Sequence, residues 1–181
     1  MQRRHVLAGL SLPWWAFNAL ASDAAQALRQ GGCAVLIRHA QTTPGVGDPK
    51  GFRLDMCVSQ RNLNDEGRAQ ARRMGKWFQA QGLKPRVVKS SNWCRCKETA
   101  NLAFGKHLVW PALNSIFEDR ASEPQQTADL RAALRRIEAG SFEAWVTHQV
   151  NITALTGEAS AMGEGLVVDA SGSIIVRTTF S

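Results

Sequence analysis

From Gly31 onward the chain alternates two kinds of apolar pattern: short continuous runs, and longer stretches where apolar residues recur every three or four positions. A strand buried on both faces produces the first, an amphipathic helix the second. Cys33 to Ile37 is such a run, entered through Gly31-Gly32, and is read as a central strand. Asn64 can cap a helix whose first turn holds Asp65 and Glu66 and whose Ala71, Met74, Gly75 and Phe78 share one face, with Gly82 as its stop. Arg86 to Lys89 reads as a brief strand and Ser90-Ser91 as a turn. A second helix is marked by Cys96, Thr99, Ala100 and Ala103 and stopped by Gly105. Leu108 to Leu113 reads as a short edge strand because Pro111 interrupts it. Leu130, Ala133, Leu134 and Ile137 predict a third helix closed by Gly140. Ala144 to Thr147 predicts a second buried strand, running into His148 and a helical stretch over Asn151 to Leu155. Gly165 to Asp169 and Ser173 to Thr178 flank Ala170-Ser171-Gly172 and are expected to pair as a hairpin.

This alternation predicts one α/β domain of three layers, a mostly parallel central sheet with helices on both faces. The loop from Thr43 to about Leu63 is longer than a connector requires, and such loops often cover active sites. With 181 residues, 44% of them apolar and 20% charged, the chain suits a single ordinary globular core. Residues 1–21 stand apart. Arg3 and Arg4 precede an apolar stretch that ends in Ala19-Leu20-Ala21, and Pro13 interrupts it too soon for a membrane span. Arg3-Arg4-His5-Val6-Leu7 resembles a twin-arginine export signal. The expected division is therefore an export segment over 1–21 and a domain over 22–181, working in the periplasm or secreted. With no cysteine near the cleavage site, no stable membrane anchor is expected afterwards.

Charge and cysteines refine this picture. The formal charge is +7, and losing the two arginines of the export segment leaves +5, a balance that favours anionic partners. No run of lysine and arginine interleaves with aromatics, so nucleic acid is not the expected partner. In an oxidising compartment Cys57 is expected to bridge to Cys94 or Cys96, and Cys33 to be a buried thiol. Gly45-Val46-Gly47-Asp48-Pro49 lacks both the ending of a P-loop and the context of a dinucleotide fingerprint, and reads as a loop shaping a pocket rim.

The chemistry lies just past the end of each core strand: Arg38-His39 after the first, Ser90 to Arg95 after the second, His148 after the third. Ligands of open α/β sheets sit at the carboxyl ends of the strands, so three cationic or potentially cationic points converge on one crevice. Two arginines there favour a bidentate oxyanion such as phosphate.

Leu36-Ile37-Arg38-His39-Ala40-Gln41-Thr42 resembles the Arg-His-Gly-x-Thr signature of the histidine phosphatase superfamily, the phosphoglycerate-mutase-like enzymes. Asn62 to Arg68, Ser90-Ser91 with Arg95 and Thr99-Ala100, and Val146-Thr147-His148-Gln149 are similar to that family's later motifs and occur in its order. The resemblance implies His39 as nucleophile and Arg38, Arg95 and a protonated His148 as phosphate clamp, with Thr42 beside the substrate. The expected activity is monoester hydrolysis through a phosphohistidine, with no cofactor and no metal, on a phosphorylated small molecule or sugar. Ala40 replaces the signature's glycine. Where the mutase branch carries a glutamate after a Leu-Asn pair, Leu113-Asn114 is followed by Ser115. The leaving-group acid then falls to Glu118 or Asp119, with Asp119 preferred, unless both belong to an ordinary charged loop. The chain also lacks the large insertions that shape a mutase's site. A clamp without an effective acid would instead make a phosphate-ligand binding or sensing module.

Overall fold

The computed structural model describes residues 23–180, so the expected export segment lies outside the described residues. Among the described residues six strands form one sheet: β1 (Cys33–Arg38), β2 (Val87–Ser90), β3 (Leu108–Val109), β4 (Phe142–Thr147), β5 (Gly165–Val168) and β6 (Ile174–Thr178). Their order is β3-β2-β4-β1-β5-β6. The β3–β2, β2–β4 and β4–β1 pairs are parallel, while β5 and β6 extend the sheet antiparallel as the expected hairpin. Five helices cover it: α1 (residues 23–30), α2 (Asp65–Ala80), α3 (Cys94–Phe104), α4 (Glu123–Leu134) and α5 (Gln149–Thr156).

Strand alternation divides the core. Val35, Ile37, Ala144 and Val146 face α1, α2 and α3, meeting Leu28, Met74, Phe78 and Ala100. Ala34, Leu36 and Trp145 face the opposite way, onto Leu130 and Leu134 of α4 and Ile152 and Leu155 of α5. Glu143 is the one acid inside β4. Its carboxylate is satisfied by Arg86 and Lys89, each at 2.7 Å, and by Trp145 Nε1 at 2.8 Å, as burial of a charge requires.

Three expectations need adjustment. The apolar pattern does not signal α1, because its buried Ala24, Ala25 and Ala27 give little hydrophobic contrast. The strand expected over Leu108 to Leu113 stops at Val109, since Pro111 opens a 3₁₀ turn over Pro111–Leu113. The third helix starts at Glu123 and ends at Leu134, leaving Ile137 buried just beyond it.

Helix α2 sets the long loop against the sheet. Asn64 Oδ1 accepts from Gly67 N at 2.7 Å, the expected cap. A Cβ on Gly67 would lie 1.9 Å from the Gln41 carbonyl oxygen, and one on Gly75 would lie 2.5 Å from that of Ala103. The two glycines thus let α2 close onto the segment after β1 and onto α3. A disulfide joins Cys57 to Cys94, resolving the two expected pairings, and Cys33 and Cys96 are buried free thiols. Gln60 Oε1 also accepts from Cys94 N at 2.9 Å, so the loop is tied twice to the start of α3. A bridge spanning 37 residues is worth about 3–4 kcal/mol on the chain-entropy account. Reduction should therefore lower the melting temperature by about 10 °C, read by thermal denaturation with and without reductant and matched by the Cys57→Ser/Cys94→Ser double variant. An unchanged melting temperature would show that the loop holds without the bridge.

Candidate active site

Because β2, β4 and β1 are parallel neighbours, their carboxyl ends form one ledge. Arg38 pairs with Thr147, and Ser90 with Val146, so the next residues along each strand, His39, His148 and Ser91, come out side by side. His39 and His148 open onto a cavity of about 360 Å³ whose wall also includes Arg38, Arg61, Arg95 and Glu118. Trp93 and His148 are the N-caps of α3 and α5, so the positive ends of both helices meet the cavity.

His39 is 3% exposed. Its backbone N donates to Thr147 O at 3.0 Å, extending the β1–β4 pairing. Its Nδ1 lies 2.9 Å from Ala40 O, which selects the tautomer with the proton on Nδ1 and leaves Nε2 with its lone pair. The small side chain of Ala40 is fully buried, and Ala40 N donates to Thr99 Oγ1 at 3.0 Å, locking the turn after the strand. His148 lies beside it, the ring centroids 5.5 Å apart. Ser91 Oγ is 2.8 Å from His148 Nε2, which leaves Nδ1 without a partner among the described residues.

Two guanidiniums are each held by one end. Arg38 Nη1 donates to Ser160 O at 2.6 Å. Arg95 Nη1 donates to both oxygens of Asp48, at 2.7 and 3.0 Å. Arg38 Nε and Arg95 Nε are buried and find no acceptor among the described residues. Buried donors normally do find one, and both arginines line the one cavity, where paired guanidiniums suit a tetrahedral oxyanion.

Sequence reasoning missed Asp48 and Arg61. The Asp48 carboxylate, 5% exposed, is held by Arg95, by Arg61 N at 2.9 Å and by Trp93 Nε1 at 2.9 Å. Burial pushes its carboxyl upward, but these hydrogen bonds outweigh burial and hold it below the usual range. Arg61 anchors the loop around itself through Gly47 O at 2.9 Å, Gly45 O at 3.0 Å and Thr42 Oγ1 at 2.7 Å. The glycine-rich segment is thus more than a rim, since it delivers the carboxylate that fixes Arg95. No local pattern signals this, because the partners lie 47 residues apart. Three guanidiniums against the Asp48 carboxylate leave two positive charges around the cavity floor, the complement of a phosphoryl dianion.

Three further placements bear on the expected site residues. Thr42 is buried behind Arg61 and does not line the cavity. Glu118, not Asp119, stands on the cavity wall, because the backbone at Asp119 turns away into the 3₁₀ turn Arg120–Ser122. His148 is not protonated by its surroundings: burial, then the charges of Arg95, His39, Arg38 and Arg61, hold it well below its ordinary value. An anion brought against it would restore the proton. Burial, followed by Arg95, likewise lowers His39 to about 3, keeping it neutral and nucleophilic at pH 7. Among the described residues no three or more His, Cys, Asp or Glu side chains cluster to hold a metal.

Residues 34–161 match the family model described as histidine phosphatase superfamily (branch 1). The protein histidine phosphatase SixA complexed with tungstate superposes with a TM-score of 0.56 at 16% identity, covering 82% of this chain and 97% of SixA. TTHB049 from Thermus thermophilus gives 0.57 at 19% identity over 81% and 98%, and a phosphoglycerate mutase from the same organism 0.55 at 19% over 81% and 98%. These likenesses show the fold. Among curated proteins none matches in sequence.

The low value of His39 sets a stability prediction. Between its ordinary 6.5 and about 3 the unfolded chain binds a proton that the folded one refuses. Stability is therefore complete above pH 6.5 and lost as pH falls through that window. At pH 5 the loss from His39 is about 2 kcal/mol, and His148 adds to it with the same sign. Urea unfolding at pH 7.5 and pH 5 should show this drop, and a smaller one in His39→Gln. Equal drops in both proteins would contradict a buried neutral His39.

Proposed function

The chain belongs to the histidine phosphatase superfamily (branch 1), and on that premise we propose that it is a phosphomonoester hydrolase working through a phosphohistidine at His39, on a phosphorylated small molecule outside the cytoplasm. The observation that carries this reading is the pair of buried, unpartnered Nε–H donors of Arg38 and Arg95, two arginines that share a cavity wall with a histidine whose Nδ1 is pinned. A ligand that satisfies both donors is an oxyanion held within reach of Nε2 of His39. The SixA relative is complexed with tungstate, itself a tetrahedral oxyanion, which is in keeping with an oxyanion ligand on this fold.

The steps derive from the groups present. The neutral Nε2 attacks phosphorus in line, a P–N bond forms, and the P–O bond to the alcohol breaks. Arg38, Arg95 and a His148 that takes up a proton as the anion binds stabilise the charge spread over the transferring oxygens. Glu118 on the cavity wall gives its proton to the departing alkoxide. In the second step water attacks phosphorus, its proton returns to Glu118, and the P–N bond breaks to release phosphate and neutral His39. Protein groups supply every charge in this scheme, so no cofactor or metal is invoked. The Cys57–Cys94 disulfide supports an exported location, since such bridges persist in oxidising compartments.

Hydrolysis of p-nitrophenyl phosphate should be resistant to chelators and should fall by about a thousandfold or more in His39→Ala. Glu118→Gln should slow alkyl phosphates far more than aryl phosphates, which leave with little protonation, while Asp119→Asn should leave both unchanged. Substantial hydrolysis by His39→Ala would remove the covalent mechanism. Absence of hydrolysis in the wild type, with phosphate still bound, would favour a binding module.

A further inference from the structure

The cavity has two different halves. Its floor is the charged clamp. Its wall also includes Val46 of the long loop, Phe52 of the same loop packed on Trp93, Phe117 after the 3₁₀ turn Pro111–Leu113, Val150 of α5 and Met162. Five apolar side chains from four separate segments thus surround the place where the alcohol part of an ester must project. Val46 is 87% exposed and Phe117 47% exposed, and a Cβ built on Gly47 would lie 3.4 Å from the Phe117 ring, so the two loops meet at the opening. Water against such a rim is unfavourable, and covering it contributes binding energy in proportion to apolar area.

Polar partners at the mouth are few. Outside the clamp and the loop that holds Arg95, the wall offers Ser115, Glu118 and Gln149. A sugar brings several hydroxyls, and each one desolvated without a partner costs affinity. The single acid works against a second anionic group on the substrate, because Glu118 would repel it when ionised. We infer that the substrate class of this site is the phosphate monoester of an apolar alcohol, an alkyl chain rather than a sugar. This rests on the phosphatase reading for its chemistry, but the recognition itself is a binding property separable from turnover.

The test uses non-hydrolysable probes. Binding of methyl-, butyl- and hexylphosphonate is measured by calorimetry on the full domain, beside hydrolysis of p-nitrophenyl phosphate. Affinity should rise with chain length by up to roughly fourfold for each methylene fully buried, so that hexylphosphonate binds at least about tenfold tighter than methylphosphonate. The double variant Val46→Ser/Phe117→Ser should flatten the series. A series flat in the wild type, or glucose 6-phosphate competing better than hexylphosphonate, would overturn the inference even if p-nitrophenyl phosphate is hydrolysed. A rising series without hydrolysis would uphold it and count against the phosphatase reading alone.

Discussion

Arg95 is buried and Arg38 half-buried, each guanidinium tethered at Nη1 and each with a buried Nε–H left without an acceptor among the described residues. Desolvating a cation is expensive, and an unmet buried donor adds to the cost. The fold supports both arginines by surrounding them with fixed groups: the Ser160 carbonyl for one, the Asp48 carboxylate for the other. Removing one partner from a buried ion pair typically costs about 3–5 kcal/mol, which is why Asp48 matters although it is not aimed at the reaction. The arrangement trades stability for a preformed anion site. The same cations, added to burial, keep His39 and His148 neutral while the site holds no anion.

Everything around this pair maintains its geometry. The β1–β4 register brings Arg38 level with Thr147 and so puts His39 beside His148. Gly67 and Gly75 allow α2 to seat the segment after β1 against α3. The Cys57–Cys94 bridge and the Gln60 contact fix the loop to the residue just before Arg95. Arg61 then folds Gly45 to Asp48 back over the cavity. The loop that holds Arg95 from one side also supplies Val46 and Phe52 to the cavity wall, so on the proposed reading one segment serves both the phosphate and the alcohol.

The layers, the parallel sheet and the residues after each core strand were legible in the sequence because local signals carry them: continuous apolar runs, the Asn64 cap, and glycines at helix ends. Even the antiparallel hairpin β5–β6 announced itself through Ala170-Ser171-Gly172. What escaped depends on tertiary contact. Asp48 sits in a glycine-rich stretch that carries no chemical signature, and its function exists only because the loop crosses onto α3. Thr42 looks like a ligand residue by its place after Arg38-His39, yet its hydroxyl accepts from Arg61. Choosing between Cys94 and Cys96 required knowing which face of α3 turns toward the loop. Which of Glu118 and Asp119 lines the cavity depends on where the backbone enters its 3₁₀ turn. The neutral state of His148 comes from burial among three arginines, which no linear pattern records.

The most direct test watches the two unmet donors. Side-chain ¹⁵N–¹H spectra can resolve the Nε–H signals of Arg38 and Arg95, assigned through Arg38→Lys and Arg95→Lys, during titration with inorganic phosphate. Both protons are expected to move downfield and exchange more slowly with water as phosphate saturates the site, because each gains a charged acceptor. Both signals staying in place at phosphate concentrations that inhibit hydrolysis would contradict a clamp built on these two donors.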